Sequence, residues 1–170
     1  MVEDGGIMGY SPVVVSNNIL RRAFDEKANV TPMKLQKILF FAACEYAKRT
    51  GRQLLDGSFQ AWKYGPVNRT VYDEFRSFGG DPIRSFGKDA KNKAYKVNED
   101  SDPNLKAVLD AVWAGSKQMS AVALSRLTHE DGSAWAQVFK PDASAHIGHE
   151  IMLADRTYQK TLGVSEGTAL

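Results

Sequence analysis

At 170 residues, with 43% hydrophobic and 25% charged residues, the chain has the size and mix of one ordinary globular domain, which excludes a disordered or collagen-like architecture. Its 22 basic and 20 acidic residues leave a net charge of +2, without the basic excess that marks a nucleic-acid binder. The single cysteine, Cys44, has no partner for an internal disulfide and fits a reducing cytoplasm.

Residues 1–10 are expected to form a flexible lead. They are acidic and glycine-rich, unlike a signal or transit peptide. No apolar run anywhere approaches the roughly 18 residues of a membrane span. Ser16 is a candidate cap for a first helix, with Ile19, Leu20, Ala23 and Phe24 on one face. Thr31 and Pro32 then make a strong N-cap and first-position proline. Leu35, Ile38, Leu39, Ala42 and Tyr46 share the following apolar face, and Gly51 is placed to stop the helix near Thr50.

Residues 54–57 read as a turn, and the alternating 59–64 (Phe-Gln-Ala-Trp-Lys-Tyr) as a strand or extended segment. Gly65-Pro66 breaks it, and Pro66 is expected to start a helix with Val67, Val71, Phe75 and Phe78 on one side. Two further short strands, 83–86 and 94–97, are expected around a basic loop. Asp102-Pro103 repeats the cap-and-proline signal ahead of Leu105, Val108, Leu109, Val112 and Trp113, with Gly115 closing. Ser120 caps a short helix through Leu127, and Gly132-Ser133 opens a helical turn with Trp135 and Phe139. A final helix is expected to carry Ile147, Ile151, Ala154 and Tyr158 on one face, before a loose tail over 163–170. The sum is a mainly α protein: a single compact helical domain of about six helices, over 11–162, with a small β-hairpin or short antiparallel sheet.

Sites of catalysis are scarce. The glycines form neither a phosphate-binding loop nor a dinucleotide fingerprint. Cys44 lies mid-helix, with no cation or helix N-terminus to lower its pKa. His146, His149 and Glu150 are grouped, but their order differs from the metalloprotease pattern, and only the distant His129 could add a third nitrogen ligand. His129-Glu130-Asp131-Gly132 reads as a polar turn. Arg84, Lys88, Lys91, Lys93 and Lys96 gather in one stretch that reads as a solvated loop. No catalytic residue, metal site or cofactor is therefore expected, and neither membrane nor nucleic acid is an expected partner.

The informative segment is 59–67. Pro66 has a fixed φ and pushes Gly65 towards extended geometry. Trp62 and Tyr64 alternate with Lys63. Such a rigid aromatic corner suits either core packing, favoured for Trp62 and Leu39, or a protein-binding hot spot.

Residues 31–42 (Thr-Pro-Met-Lys-Leu-Gln-Lys-Ile-Leu-Phe-Phe-Ala) resemble the opening helix of the Panacea antitoxin domain family, the SocA-like and phage-associated GepA-like proteins. Residues 59–67 resemble that family's second signature, followed by Val71, Tyr72 and Phe75. Gly132-Ser-Ala-Trp135 and 147–151 resemble its later segments, with Ala134 where the family often has proline. The resemblance spans about 14–158. It implies a helical, non-enzymatic cytoplasmic antitoxin that binds a cognate toxin directly, and the SocA branch further implies delivery to a ClpXP-type protease. The alternative is a phage or mobile-element protein that binds a host defence protein. The partner-binding candidates at the corner are Trp62, Tyr64, Gly65, Pro66 and Tyr72, with Lys34, Lys37 and Lys63 as the polar residues near it.

Overall fold

Helix starts in this chain follow its capping side chains. In the computed structural model, which describes residues 9–164, α1 spans Pro12–Asp25 and α2 spans Pro32–Thr50. Each opens on a proline and is capped by a hydroxyl, that of Ser11 for α1 and Thr31 for α2. Asn68 caps α3 (Arg69–Phe75), Asp102 caps α4 (Pro103–Ser116), Ser120 caps α5 (Ala121–Thr128) and Ser133 caps α6 (Ala134–Val138). Two short helices, α7 (His149–Ala154) and α8 (Gln159–Leu162), follow. The small sheet is antiparallel, in the order β2-β1-β3, from Phe59–Trp62 (β1), Gly65–Val67 (β2) and His146–Ile147 (β3). The fold is thus mainly helical with one short antiparallel sheet. Most of the expected lead and tail, residues 1–8 and 165–170, lies outside the described residues.

Helix α2 is the axis. Every residue from Lys34 to Ala47 is buried, so the helix is surrounded by other elements. It touches α1, α3, α4, α5, α7 and β2. Leu35, Ile38, Leu39, Phe40 and Phe41 are almost fully buried, each contributing roughly 1.5–3 kcal/mol. The Phe40 ring meets Phe59 of β1 edge-on at 5.2 Å, and Phe41 lies 4.8 Å from Tyr158. At the far end, Glu45 accepts from the Tyr158 hydroxyl and from Gln159 Nε2, and Lys48 donates to Met152 O and Tyr158 Oη. Asp102 accepts from Tyr10 at 2.7 Å and Tyr46 at 2.9 Å, and Tyr10 also bonds through its backbone to Leu54 and Asp56.

Five local expectations change. Gly115, expected to close its helix, lies inside α4, and Lys117 forms the cap. The first helix begins on Ser11 and Pro12, because Ser16 turns its hydroxyl back to Pro12 O inside the helix. Pro66 belongs to β2, and α3 starts later because Asn68 is the cap, its side chain accepting from Val71 N. The last helix is split: Ile147 pairs in β3, and Asp155 ends α7 by turning its carboxylate onto Ala134 N, Thr157 N and Thr157 Oγ1.

The fifth change concerns 83–86 and 94–97, which form no strands. Adjacent asparagines on α1 take the place of a neighbouring strand. Asn18 binds both the N–H and the C=O of Val97, at 2.8 and 2.9 Å. Asn17 likewise binds both groups of Gly87, at 2.8 and 2.9 Å, and adds Tyr95 O. Buried backbone groups are thereby satisfied without a ladder.

Asn18→Ala leaves both backbone groups of Val97 without these partners, an expected loss of roughly 2–4 kcal/mol. A thermal melt and limited proteolysis check this, with cleavage appearing within 87–97.

Candidate functional site

The β1–β2 hairpin reverses over Lys63 and Tyr64, with Trp62 opposite Gly65. Its backbone is fixed by side chains from three helices, which bond every second carbonyl along it. Trp135 Nε1 of α6 donates to Trp62 O at 2.6 Å, and Ser125 Oγ of α5 donates to Tyr64 O at 2.5 Å. Two more donors come from α2: Lys37 Nζ reaches Pro66 O and Gln36 Nε2 reaches Asn68 O, both at 3.0 Å. Gln36 Oε1 also accepts from Asn68 N. Pro66 and Asn68 follow the turn in one extended stretch, where alternate carbonyls point the same way, so α2 meets both.

Gly65 is required by this arrangement. Its φ of +120° is rarely adopted by L side chains, and a Cβ there would lie 2.7 Å from Lys37 Cε and 2.8 Å from Thr128 Oγ1. The Gly-Pro joint is the place where the Lys37 stem runs against the hairpin.

With its backbone held, the hairpin presents Trp62, Lys63 and Tyr64 at its outer corner. Trp62 is half-buried on the outer face of β1, bonding Gln60 through Nε1. This departs from the expected core packing of Trp62, because inward places on β1 are taken by Phe59 and Ala61. Leu39 is fully buried, as expected. Trp62 meets Tyr72 of α3 edge-on at 4.9 Å, and the Arg69 guanidinium lies over both rings. Lys63 is exposed, its ammonium 5.4 Å from the Tyr64 ring, and Tyr64 is 59% exposed.

Beside this corner is a groove of about 470 Å³ between the start of α2, the hairpin and α3. Lys37, Trp62, Lys63, Tyr64 and Tyr72 line it, together with Met33, Gln36 and Arg76. Gly65 and Pro66 are buried behind the lining. Lys34 lies apart, its ammonium donating to Lys117 O at 2.6 Å at the end of α4. The sequence reading missed Arg69 and Arg76, although with Tyr72 they follow the i, i+3, i+7 spacing of one helix face. It also missed Ser125 and Trp135, whose part depends on a long-range approach that spacing does not encode.

Lys37 is 1% exposed, and burial pushes its ammonium down to about 7. The facing ionisable group is His129 at the end of α5, lowered by its own burial and then by Lys37. The His129 ring lies tilted against Trp135, centroids 3.9 Å apart, and its buried Nε2 has no hydrogen-bond partner among the described residues.

The other candidate chemistry is more dispersed. His146 Nδ1 shares a 2.6 Å hydrogen bond with Ser58 Oγ, and no three His, Cys, Asp or Glu side chains converge as a metal cage among the described residues. Cys44 is fully buried, which pushes its thiol well up. The basic residues of 84–96 are exposed.

Residues 35–136, more than half of the chain, match the family described as antitoxin SocA-like, Panacea domain. A protein of Caulobacter vibrioides (strain NA1000 / CB15N), Antitoxin SocA, is 29% identical over 145 residues, covering 84% of this chain and 77% of the relative. No solved structure matches.

Gly65→Ala is expected to lower stability by roughly 2–5 kcal/mol through backbone strain and overpacking, read by urea denaturation. The pH dependence has a defined sign. Below pH 7 both folded and unfolded chains hold the Lys37 proton, and the folded state bears a buried charge. Between pH 7 and the ordinary lysine value of 10.5, the folded chain has released a proton that the unfolded chain keeps. The Lys37 contribution to stability therefore rises with pH across that window. His129 acts in the same direction below its ordinary value of 6.5. Denaturation midpoints measured across pH 7–10.5 are expected to show a component that Lys37→Met removes.

Proposed function

This chain belongs to the family of SocA-like antitoxins with a Panacea domain, and on that premise we propose that it is an antitoxin that neutralises a toxin encoded beside it by direct protein binding. The observation carrying this reading is the aromatic and cationic corner of Trp62, Lys63, Tyr64, Arg69 and Tyr72 on a hairpin held by three helices. It lies within the matched span. A platform already rigid loses little conformational entropy on binding, and Tyr, Trp and Arg are the residue types that dominate interface energetics. Net charge is small, so recognition rests on local shape and local charge rather than on a long-range field. The bound toxin would be occluded, and delivery to a ClpXP-type protease would then make neutralisation irreversible.

Expression of the neighbouring gene alone and together with this chain tests the reading. Growth arrest by the neighbour, rescue by co-expression and recovery of a stoichiometric complex by pull-down are expected. A neighbour harmless by itself, or a toxic one rescued without complex formation, sinks the direct-binding reading. Delivery is checked separately by the toxin's half-life in cells with and without ClpX. Equal half-lives in the presence of the antitoxin exclude it.

A further inference from the structure

Resting on that antitoxin reading, we propose that the groove between the start of α2, the β1–β2 hairpin and α3 holds a short toxin segment combining a carboxylate with an apolar side chain. Charge complementarity selects this occupant. The groove is lined by the cations Lys37, Lys63 and Arg76, and its lining contains no aspartate or glutamate. Among the described residues, none of these three cations forms an ion pair with a carboxylate. Arg69 at the rim is engaged by Asp73 at 3.3 Å and lies over the rings of Trp62 and Tyr72.

Lys37 is the distinguishing feature. An ammonium has three N–H donors, and this one bonds a single carbonyl, Pro66 O. A buried cation bonded to one carbonyl, with no carboxylate paired to it, is poorly compensated, and a carboxylate entering the groove would supply the missing charge. The groove then becomes more cationic as it fills, because the arriving anion holds the proton on Lys37.

The walls specify the rest of the segment. Pro32, Met33, Trp62, Val67, Val71 and Tyr72 make most of the surface apolar. The volume of about 470 Å³ falls within the ordinary range for ligand sites and accommodates a few side chains rather than a protein face. Met33 adds a flexible thioether that adapts to the shape of the inserted side chain. A nucleic-acid backbone would match the charge and leave these walls unfilled.

The purified toxin complex tests the proposal. Trp62→Ala and the double variant Lys63→Glu/Arg76→Glu change residues outside the core, and circular dichroism establishes that they fold. Each is expected to weaken toxin binding by about tenfold or more in calorimetric titration, and the charge reversal also to reduce the salt dependence. At mildly alkaline pH, binding is expected to take up a proton, read from titrations in buffers of different ionisation enthalpy. Lys37→Met should abolish that uptake, a readout that loss of a structural contact alone would not produce. In competition with overlapping short peptides from the toxin, one bearing a carboxylate is expected to displace the intact protein.

Wild-type binding with undiminished affinity in both variants overturns the groove and leaves the antitoxin reading standing. Competition only by peptides without an acidic side chain or free C-terminus, or by none, overturns it too. Self-association that these variants abolish assigns the groove to a second copy of the chain and overturns the toxin occupant. Absence of any complex with wild-type protein overturns both readings.

Discussion

Four carbonyl oxygens, on Trp62, Tyr64, Pro66 and Asn68, are the anchor points on which the candidate site depends. Their donors come from α6, α5 and α2, all distant in sequence from the carbonyls they bond. Each bond has a modest net value, roughly 0.5–1.5 kcal/mol, yet leaving a buried carbonyl or ammonium unpaired costs more than the bond contributes. The set therefore acts chiefly as a positional constraint. It admits one placement of the hairpin against α2. That placement requires Gly65, because the Lys37 stem occupies the space of a Cβ.

The same device recurs at α1. A side-chain amide can present a donor and an acceptor together, so it imitates the edge of a strand. Gln36 does this for Asn68, Asn18 for Val97, and Asn17 for Gly87. The two central helices thereby organise irregular backbone that would otherwise need a larger sheet. Apolar burial along α2 joins the core residues of the elements packed around it. Its polar residues help to decide which segments lie against it: Gln36 and Lys37 bond the backbone at the candidate site, whereas Glu45 and Lys48 secure α7 and α8.

Local signals were legible wherever the physics was local. Thr31-Pro32, Asp102-Pro103 and Ser120 announced helix starts that the structure contains, because a cap acts over three residues. Ser11-Pro12 carried the same signal and was passed over for Ser16. Errors gathered where a distant side chain competed with local propensity. The 83–97 region had the composition for strands, but Asn17 and Asn18 claimed its backbone groups. Pro66 could have opened a helix, but pairing with β1 and the Asn68 cap moved that start downstream. In the candidate site, the corner at 62–66 was visible as a motif. Lys37 was expected near it, but the contact itself, Lys37 Nζ to Pro66 O across 29 residues, was not legible.

By itself, the sequence determined the helix count to a first approximation, the main caps, the glycine-proline corner and the family resemblance, all of which rest on short-range spacing or on recognisable strings. The tertiary structure alone decided which side of the corner faces solvent, why Lys37 is buried while Lys63 is not, and how two separate motifs form one groove. Three helices supply the hairpin's hydrogen-bond partners, and no local rule specifies which helices will meet it. The burial of Lys37 follows from that meeting: its stem packs where Gly65 has no side chain and its ammonium finds Pro66 O. The two motifs recognised separately in the chain are thus donor and acceptor of one contact.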